Sequence, residues 1–190
     1  MRATTNILAL LIVLGAALSI SAEAVGVERL SFARPPAPHS TVDPTGRMSV
    51  DLDRWSTNAE RDQLVKAIAE NGPEKLLDAF REVGRIGTVS WPGGLEYTVR
   101  YAWRSQRPDG SDIVFVVDRP LWVWWDVAMP STPYEFTVIQ MRLGKDGSGE
   151  GRVSLGVPVA SDKTLGVALS DYVKAPSLLA DVRRDQRGSY

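Results

Sequence analysis

From Gly84 to near the C-terminus, apolar and polar residues alternate with a period of two, and this pattern constrains the fold more than any other feature. Such alternation is typical of strands that bury one face and expose the other. The clearest case is a run whose apolar members are expected to share one buried face: Leu95, Tyr97, Val99, Tyr101 and Trp103. Residues 113–117 are apolar on both faces, which predicts a central strand covered on both sides, one of them by helices.

Further strands are predicted at residues 134–143, 152–159, 164–172 and 177–183, with a shorter one at residues 86–91. The connections between them are too short for helical crossovers, so neighbouring strands are expected to pair antiparallel. One of these connections is the turn from Arg107 to Gly110, which contains Pro108 and Asp109. We therefore predict a meander of about six or seven strands.

Two helices are predicted before this sheet. Thr57 and Glu60 form a capping box, in which each side chain accepts a hydrogen bond from the other residue's amide, so a helix is expected from Asn58 to about residue 70. Gly72 ends it, and Pro73 suits the first position of a second helix. The second helix is expected to end at Gly84 and to bury four apolar residues: Leu76, Leu77, Phe80 and Val83.

The fold class is therefore predicted as α+β, with an N-terminal helix pair followed by an antiparallel β-meander that is strongly curved or barrel-like. We assign residues 1–24 to a signal peptide, residues 25–47 to a proline-rich flexible linker, and residues 48–190 to a single domain. The absence of cysteine excludes disulfide bonds, so the fold depends on its apolar core.

The first residues have the features of an export signal. Arg2 precedes an apolar run at residues 7–20, which is 14 residues long and shorter than the roughly 20 residues of a membrane-spanning helix. Ala22 and Ala24 provide the small residues that signal peptidase recognises, so we expect the mature protein to begin at Val25 in the periplasm or outside the cell. The alternative is that the run remains as a short anchor; no stable membrane insertion is expected after cleavage.

Charge argues against nucleic acid or an anionic membrane surface as a partner. Without Arg2 and Glu23 the mature chain has 21 basic and 22 acidic residues. Both of those partners favour a basic excess concentrated on one face. The partners left open are an envelope protein and a small apolar ligand.

Few arrangements for catalysis or cofactor binding are present. The only histidine, His39, lies in the predicted linker, which does not favour a Ser-His-Asp triad. One histidine without cysteine cannot assemble a zinc site, and glycine-rich phosphate and dinucleotide motifs are absent. Residues 144–151 place Asp146, Ser148 and Glu150 among glycines, and we favour a glycine-rich turn there over a calcium loop. We predict no cofactor.

Paired carboxylates for glycoside hydrolysis are harder to exclude, because their spacing is set in space and not in sequence. Solvated surface charge is the more common role of such residues. The candidate members of a pair are Asp51, Asp53, Glu96, Asp118, Asp126 and Glu135.

The tryptophans around residue 124 are the most unusual feature of the composition. In an extended chain Trp122 and Trp124 share one face, where they could stack on a sugar or an apolar ligand. Large aromatic side chains more often fill a core, and we favour that interpretation.

A second candidate binding surface depends on strand register. Residues 152–159 and 164–172 are predicted to form a hairpin with residues 161–163 in its loop, so that Val159 opposes Leu165. Gly156, Gly166 and Ala168 then lie on one face as a shallow strip with almost no side chains. Such a strip is expected where another element packs closely or where a ligand lies flat on the sheet.

The chain resembles a group of bacterial exported proteins described only as hypothetical. The segments that carry the resemblance are Arg54-Trp55-Ser56-Thr57 with Glu60-Arg61, Gly72-Pro73, Val117-Asp118-Arg119-Pro120, Tyr134-Glu135-Phe136-Thr137 and Gly149-Glu150-Gly151. The chain departs from the group at residues 121–125, which are richer in tryptophan, and at Gly144, where the group has an acid. The resemblance implies export and a shared fold, and it implies no activity.

Two functions remain as hypotheses. The first is a non-enzymatic exported protein that binds a partner or an apolar ligand on its curved sheet, through Trp122, Trp124, Gly156, Gly166 and Ala168. The second is a carboxylate-based hydrolase that acts on envelope glycans. The first is the leading hypothesis, because no nucleophile, base or metal set accompanies the surplus of aromatic residues, and the second is its alternative.

Overall fold

The computed structural model of the chain describes residues 28–33, 46–90, 94, 96–121, 135–155, 159–173 and 177–185. The strands are β1 Glu28–Ala33, β2 Arg47–Leu52, β3 Gly87–Ser90, β4 Tyr97–Arg107, β5 Gly110–Val117, β6 Thr137–Gly144, β7 Ser148–Leu155, β8 Val159–Asp162, β9 Gly166–Leu169 and β10 Ser177–Asp185. The helices are α1 Asn58–Asn71 and α2 Leu76–Glu82, joined by a 3-10 turn at Pro73–Lys75. No helix among the described residues has the length and apolar character needed to cross a membrane.

Eight strands close into an antiparallel barrel in the order β1, β10, β7, β6, β5, β4, β3 and β2. Strands β8 and β9 form a separate two-stranded hairpin. The predicted α+β fold with a barrel-like antiparallel sheet is confirmed. Two details are wrong: the helix pair is not N-terminal, because β1 and β2 precede it, and the barrel has eight strands instead of six or seven.

Strand β1 closes the barrel between β10 and β2, and it lies within the segment predicted as a linker. Leu30 and Phe32 alternate with more polar neighbours and are at most 1% exposed. The linker prediction is therefore wrong for residues 28–33. Two apolar residues make a pattern too short to stand out beside the prolines that follow.

The barrel interior is filled by apolar side chains. Its largest fully buried members are Leu30, Phe32, Met48, Leu52, Ile86 and Phe115. At one end, Glu28 Oε2 accepts a hydrogen bond from Trp55 Nε1 at 3.2 Å, and Glu28 forms ion pairs with Arg104 and Arg184. The Trp55 ring packs against the same core, 6.3 Å from Phe115 between ring centroids. This network and the apolar side chains leave the interior occupied by the protein's own residues.

A second apolar core lies outside the barrel, where the two helices and the β8–β9 hairpin pack against β4, β5 and β6. Val114 and Val116 of β5 belong to this outer core, whereas Phe115 between them belongs to the interior. The prediction that residues 113–117 are buried on both faces, with helices as one cover, is confirmed. The outer core draws on α1, α2 and the hairpin through Leu64, Leu76, Leu77, Phe80, Val159, Val167 and Leu169.

The alternation predicted for β4 is interrupted by a β-bulge. Val99 pairs with Val117, but Tyr101 pairs with Val116, so Arg100 is an extra residue in the strand. As a result Val99 faces the interior, whereas Tyr101 lies in the outer core. The prediction that these residues share one face is wrong, because the extra residue reverses the alternation. Beyond the bulge, Ser56 bonds both backbone groups of Ala102.

The first helix begins and ends as predicted, whereas the second helix starts later than predicted. Thr57 caps α1 with the complete capping box to Glu60, and the helix ends at Asn71 before Gly72. Pro73 begins the 3-10 turn, so α2 starts only at Leu76 and stops at Glu82. Three of its expected core residues, Leu76, Leu77 and Phe80, are buried in the outer core, whereas Val83 belongs to the barrel interior.

The outer hairpin differs from prediction in its strands and in its register. Residues 152–159 do not form one strand: β7 ends at Leu155 after pairing with β6 and β10, and β8 begins at Val159. Val159 opposes Leu169 instead of Leu165, and Ala160 opposes Ala168.

The cause of this register is the turn between β8 and β9. Asp162 Oδ1 accepts hydrogen bonds from the amides of Thr164 and Leu165, both at 2.7 Å, and Gly166 then adopts a φ of 79°. An aspartate that bonds the backbone ahead of it starts a turn, so the loop covers residues 163–165, two residues later than predicted. The apolar residues of the pair still share one face, which belongs to the outer core.

Candidate functional site

Two of the five residues predicted to bind a ligand lie among the described residues, and three do not. Trp122, Trp124 and Gly156 lie outside the described residues. Gly166 and Ala168 lie in β9, on the face of the hairpin opposite to Val167. The structure thus places two of the five in one strand.

Gly166 lies against the protein's own chain. A Cβ at this position would clash with the Tyr101 hydroxyl and would lie 2.6 Å from Arg61 Cγ, so only glycine fits. Of the two situations expected for the shallow strip, close packing of another element is what the structure has at Gly166. Ala168 is partly buried and packs against the outer core. Its role in ligand binding stays a prediction.

The glycine-rich segment at residues 144–151 forms the turn between β6 and β7, as predicted. The Gly147 amide donates to the Gly144 carbonyl at 3.0 Å, and Gly147 has a φ of 79°. Asp146 accepts from the Ser148 hydroxyl at 2.6 Å and from the Ser148 amide at 3.1 Å. These hydrogen bonds, first the one from the hydroxyl, lower the pKa of Asp146. The carboxylate therefore stabilises the turn.

The candidate carboxylates for hydrolysis are dispersed over several elements. Asp51 pairs with Arg29, Asp53 with Arg85, and Asp118 with Arg100. Glu96 and Glu135 are exposed, and Asp126 lies outside the described residues. Among the described residues, no group of three or more histidine, cysteine or acidic side chains is arranged to hold a metal ion.

A solvent-filled groove of about 450 Å³ lies between α1 and α2. Two pairs of its polar side chains interact across or along the helices: Gln63 donates to Glu82 at 3.1 Å, and Lys66 lies 3.7 Å from Glu70. Both pairs are exposed at the surface of the helix hairpin. The remaining lysine of the lining, Lys75, is exposed to solvent, and no described side chain of the groove has an unpaired buried atom, so the groove lacks the buried polar group that would indicate a ligand site.

A more distinctive surface lies on the outer wall of β6 and β7, below the connection from β9 to β10. Arg142 of β6 and Arg152 of β7 face outward, and the ring of Tyr172 lies over both. The Arg142 guanidinium carbon is 4.3 Å from the ring centroid and that of Arg152 is 5.8 Å away. At these distances both cations are attracted to the face of the ring. The connection is held in place at its start, where the Leu169 amide donates to Gln140 Oε1 at 3.2 Å.

Three buried donor atoms of neighbouring strand and loop positions have no hydrogen-bond partner in the described part of the chain: Arg152 Nε, Ser154 Oγ and Tyr172 Oη. One buried acceptor beside them, Asp112 Oδ1, also has no hydrogen bond and lies at ion-pair distance from Arg107 and Arg142. Ser154 is only 2% exposed. Buried polar groups in proteins are nearly always paired, so three such atoms in one place need an explanation. Ser154 and Arg152 are two residues apart in β7 and therefore lie on the same face.

The charges around the ring are unevenly balanced. Asp112 Oδ1 lies 3.8 Å from Arg142 and 3.4 Å from Arg107, at ion-pair distances longer than hydrogen bonds. Arg152 is the one arginine of the described ranges with no carboxylate oxygen within 4.0 Å. Arg152 therefore has no direct ion-pair partner among the described residues, and the nearest acid along its strand face is Glu150, two residues away.

Burial raises the pKa of the Tyr172 phenol, and the negative charge of Glu150 adds to this effect, whereas the two arginines oppose it. The phenol therefore keeps its proton at neutral pH, where its hydroxyl can donate a hydrogen bond.

Two exposed apolar side chains flank the same surface. Val173 is 78% exposed and Leu178 is 48% exposed, and they are the large apolar residues that the structure describes as exposed. Leu178 of β10 lies directly opposite Arg152 in the β7–β10 register. We call the surface formed by Arg142, Arg152, Tyr172, Val173 and Leu178 the Tyr172 patch.

Sequence reasoning did not identify the Tyr172 patch. Its residues come from β6, β7, β10 and a connecting segment, and none of them belongs to a recognisable motif. The one signal available was an arginine at an outward position in each of two neighbouring strands. We compared the chain with protein-family models, with curated proteins and with solved structures, and none of them matches it.

Proposed function

We propose that this is an exported, non-enzymatic protein that binds an apolar ligand on the outer wall of its barrel, at the Tyr172 patch. The observation that carries the proposal is the position of the two exposed apolar side chains near an arginine without an ion-pair partner and three unpaired buried donor atoms. Surfaces that combine apolar contact with a few polar groups are typical of ligand sites.

The filled interior of the barrel supports an external site. Barrels that carry a small ligand inside need a cavity, and here that volume is occupied by side chains such as Phe32 and Phe115. The network of Glu28, Arg104 and Arg184 occupies one end of the interior. The packing of the described interior therefore favours a site on the outer wall.

The composition of the Tyr172 patch supports the chemical class of the ligand. Val173 and Leu178 provide apolar contact area, and the Tyr172 ring provides an aromatic face. Exposed apolar residues in isolation are common on protein surfaces, but here one directly follows Tyr172 in the chain and the other lies opposite Arg152. The near-neutral charge of the chain is consistent with such a ligand and not with nucleic acid.

The test is native mass spectrometry of the protein isolated from its own compartment. We expect a bound species on the wild-type protein and its loss from Leu178→Asp, which introduces a charge into the Tyr172 patch. Ala59→Asp is the control, since it adds the same charge at an exposed position on α1. Equal retention of the species by both variants would contradict a site at this patch.

A further inference from the structure

We propose that the ligand carries a carboxylate, which accepts hydrogen bonds from Arg152 Nε, Ser154 Oγ and Tyr172 Oη. This inference rests on the proposed function, because it names the polar group of the ligand that the Tyr172 patch binds. The ligand is then an amphipathic carboxylic acid, with its apolar part against Val173 and Leu178.

The charge of the site matches a monoanion. Arg152 is the arginine without a carboxylate neighbour in the described part of the chain, whereas Arg142 lies 3.8 Å from Asp112. One arginine without an ion-pair partner is complemented by one negative charge, which a carboxylate has at neutral pH. A phosphate monoester carries closer to two negative charges, and the site provides no second free cation among the described residues.

The number and chemistry of the donors match as well. An ionised carboxylate only accepts hydrogen bonds and has about four acceptor positions, which is enough for all three atoms. Arg152 and Ser154 face the same side of β7 about 6.6 Å apart along the strand, and two carboxylate oxygens can bridge much of that span. Binding would satisfy a hydroxyl on Ser154 that is 2% exposed and otherwise unpaired.

The neighbouring acids orient the carboxylate. Glu150 precedes Arg152 by two residues on the outward face of β7 and lies opposite Arg142 in the β6–β7 register. Asp112 lies on the far side of Arg142. Both repel an anion, so the carboxylate is favoured on the Ser154 side of Arg152. The three donor atoms are buried in the unliganded protein, so the carboxylate reaches them only when the Tyr172 ring shifts, and the Tyr172 hydroxyl then donates to the bound ligand.

The test measures binding of octanoate to the full chain by calorimetry, with octanol as the uncharged match and with inorganic phosphate and acetate as competitors. We expect octanoate to bind at least tenfold more tightly than octanol, because a hydrogen bond to a charged group contributes about 1.5 to 3 kcal/mol. Arg152→Gln is expected to weaken octanoate by at least about tenfold. Arg81→Gln, the same change on the exposed face of α2, is the control and should bind as the wild type does.

Ser154→Ala provides the second variant, which does not depend on keeping the arginine. The unfolding free energy of the unliganded variant should be unchanged or higher, because an unpaired buried hydroxyl is removed, while octanoate should bind about tenfold more weakly. A loss of stability without ligand would show that the hydroxyl already has a partner, and would overturn the inference.

Three other results would also overturn it: no binding of octanoate, equal affinity for octanol and octanoate, or competition by phosphate stronger than that by acetate. These three results are independent of the native mass spectrometry of Leu178→Asp, which tests the binding site itself. A cellular species that is lost from that variant, together with failure of octanoate, would leave the proposed binding site in place and remove only the carboxylate.

Discussion

Tyr101 donates a buried hydrogen bond from its hydroxyl to the Leu165 carbonyl at 2.6 Å, which ties the barrel wall to the turn of the outer hairpin. The β-bulge at Arg100 makes this contact possible, because it turns the Tyr101 side chain out of the barrel. The hairpin leads into the connection that holds Tyr172, so the contact also helps to position the candidate site. Burial raises the pKa of Tyr101, and the hydroxyl keeps its proton as the donor.

Replacing Tyr101 by Phe should lower the free energy of unfolding by about 1 to 3 kcal/mol, because the Leu165 carbonyl would lose its buried partner. Chemical denaturation followed by tryptophan fluorescence measures the change. A midpoint equal to that of the wild type would contradict the assigned contact. Phe fills nearly the same volume, so cavity formation contributes little to the result.

Replacing Gly166 by Ala should destabilise the protein by at least about 1 to 2 kcal/mol, because a left-handed backbone disfavours a Cβ. The new Cβ would also meet the Tyr101 hydroxyl and Arg61. The matched control is Gly84→Ala, where a Cβ meets no atom within 4 Å and φ is not positive. The measurement is thermal unfolding of both variants, and Gly166→Ala should have the lower melting temperature. Equal melting temperatures would contradict the prediction.

Acid should weaken the start of α1. The hydrogen bond from Arg54 lowers the pKa of Glu60 from 4.5 to about 2, and the Thr57 amide and hydroxyl add to this effect. A carboxylate with a lowered folded pKa contributes stability that is fully present above about pH 4.5 and is lost as the pH falls toward about 2. Because Arg54 is 38% exposed and solvent screens the pair, we expect a contribution of about 1 to 2 kcal/mol.

The measurement is the free energy of unfolding in urea at pH 6 and at pH 2.5, for the wild type and for Glu60→Gln. The variant should be less stable than the wild type at pH 6 and should lose less stability on acidification. If the stability of the two proteins changed with pH in parallel, the ionised Glu60 carboxylate would not be the source of the acid sensitivity.

The export prediction is tested on protein recovered outside the cytoplasm. N-terminal sequencing should begin at Val25, because Ala22 and Ala24 match the positions that signal peptidase recognises. Recovery of an intact chain beginning at Met1 and fixed in the membrane would mean that residues 7–20 act as an anchor.

Local chemistry by itself determined several elements of this protein. The start of α1 follows from Thr57 and Glu60, which are three residues apart and bond each other directly. The turn between β4 and β5 follows from Pro108 and Asp109, with Arg107 opposite Gly110 as predicted. The central position of β5 follows from its apolar residues on both faces. In each case the interacting groups are near one another in the chain, so the pattern is visible without the fold.

Tertiary structure decided the elements whose partners are distant in sequence. Strand β1 exists because Leu30 pairs with Arg184 and Val50 across the closing seam of the barrel, and its own six residues carry too little pattern to predict it. The β8–β9 register depends on the hydrogen bonds of Asp162, which fix the position of the turn. The bulge in β4 places the residues that follow it on the opposite face of the sheet from the one that simple alternation assigns.

The candidate site also depends on residues that are distant in sequence and become neighbours only in the fold. Arg142 and Arg152 are neighbours only because β6 and β7 pair in one register, and Tyr172 reaches them only through the connection from β9 to β10. The sequence marks each of these residues as an ordinary strand or loop position. Their shared property, a cluster of unpaired polar atoms beside exposed apolar side chains, arises from three-dimensional proximity, which no local period encodes.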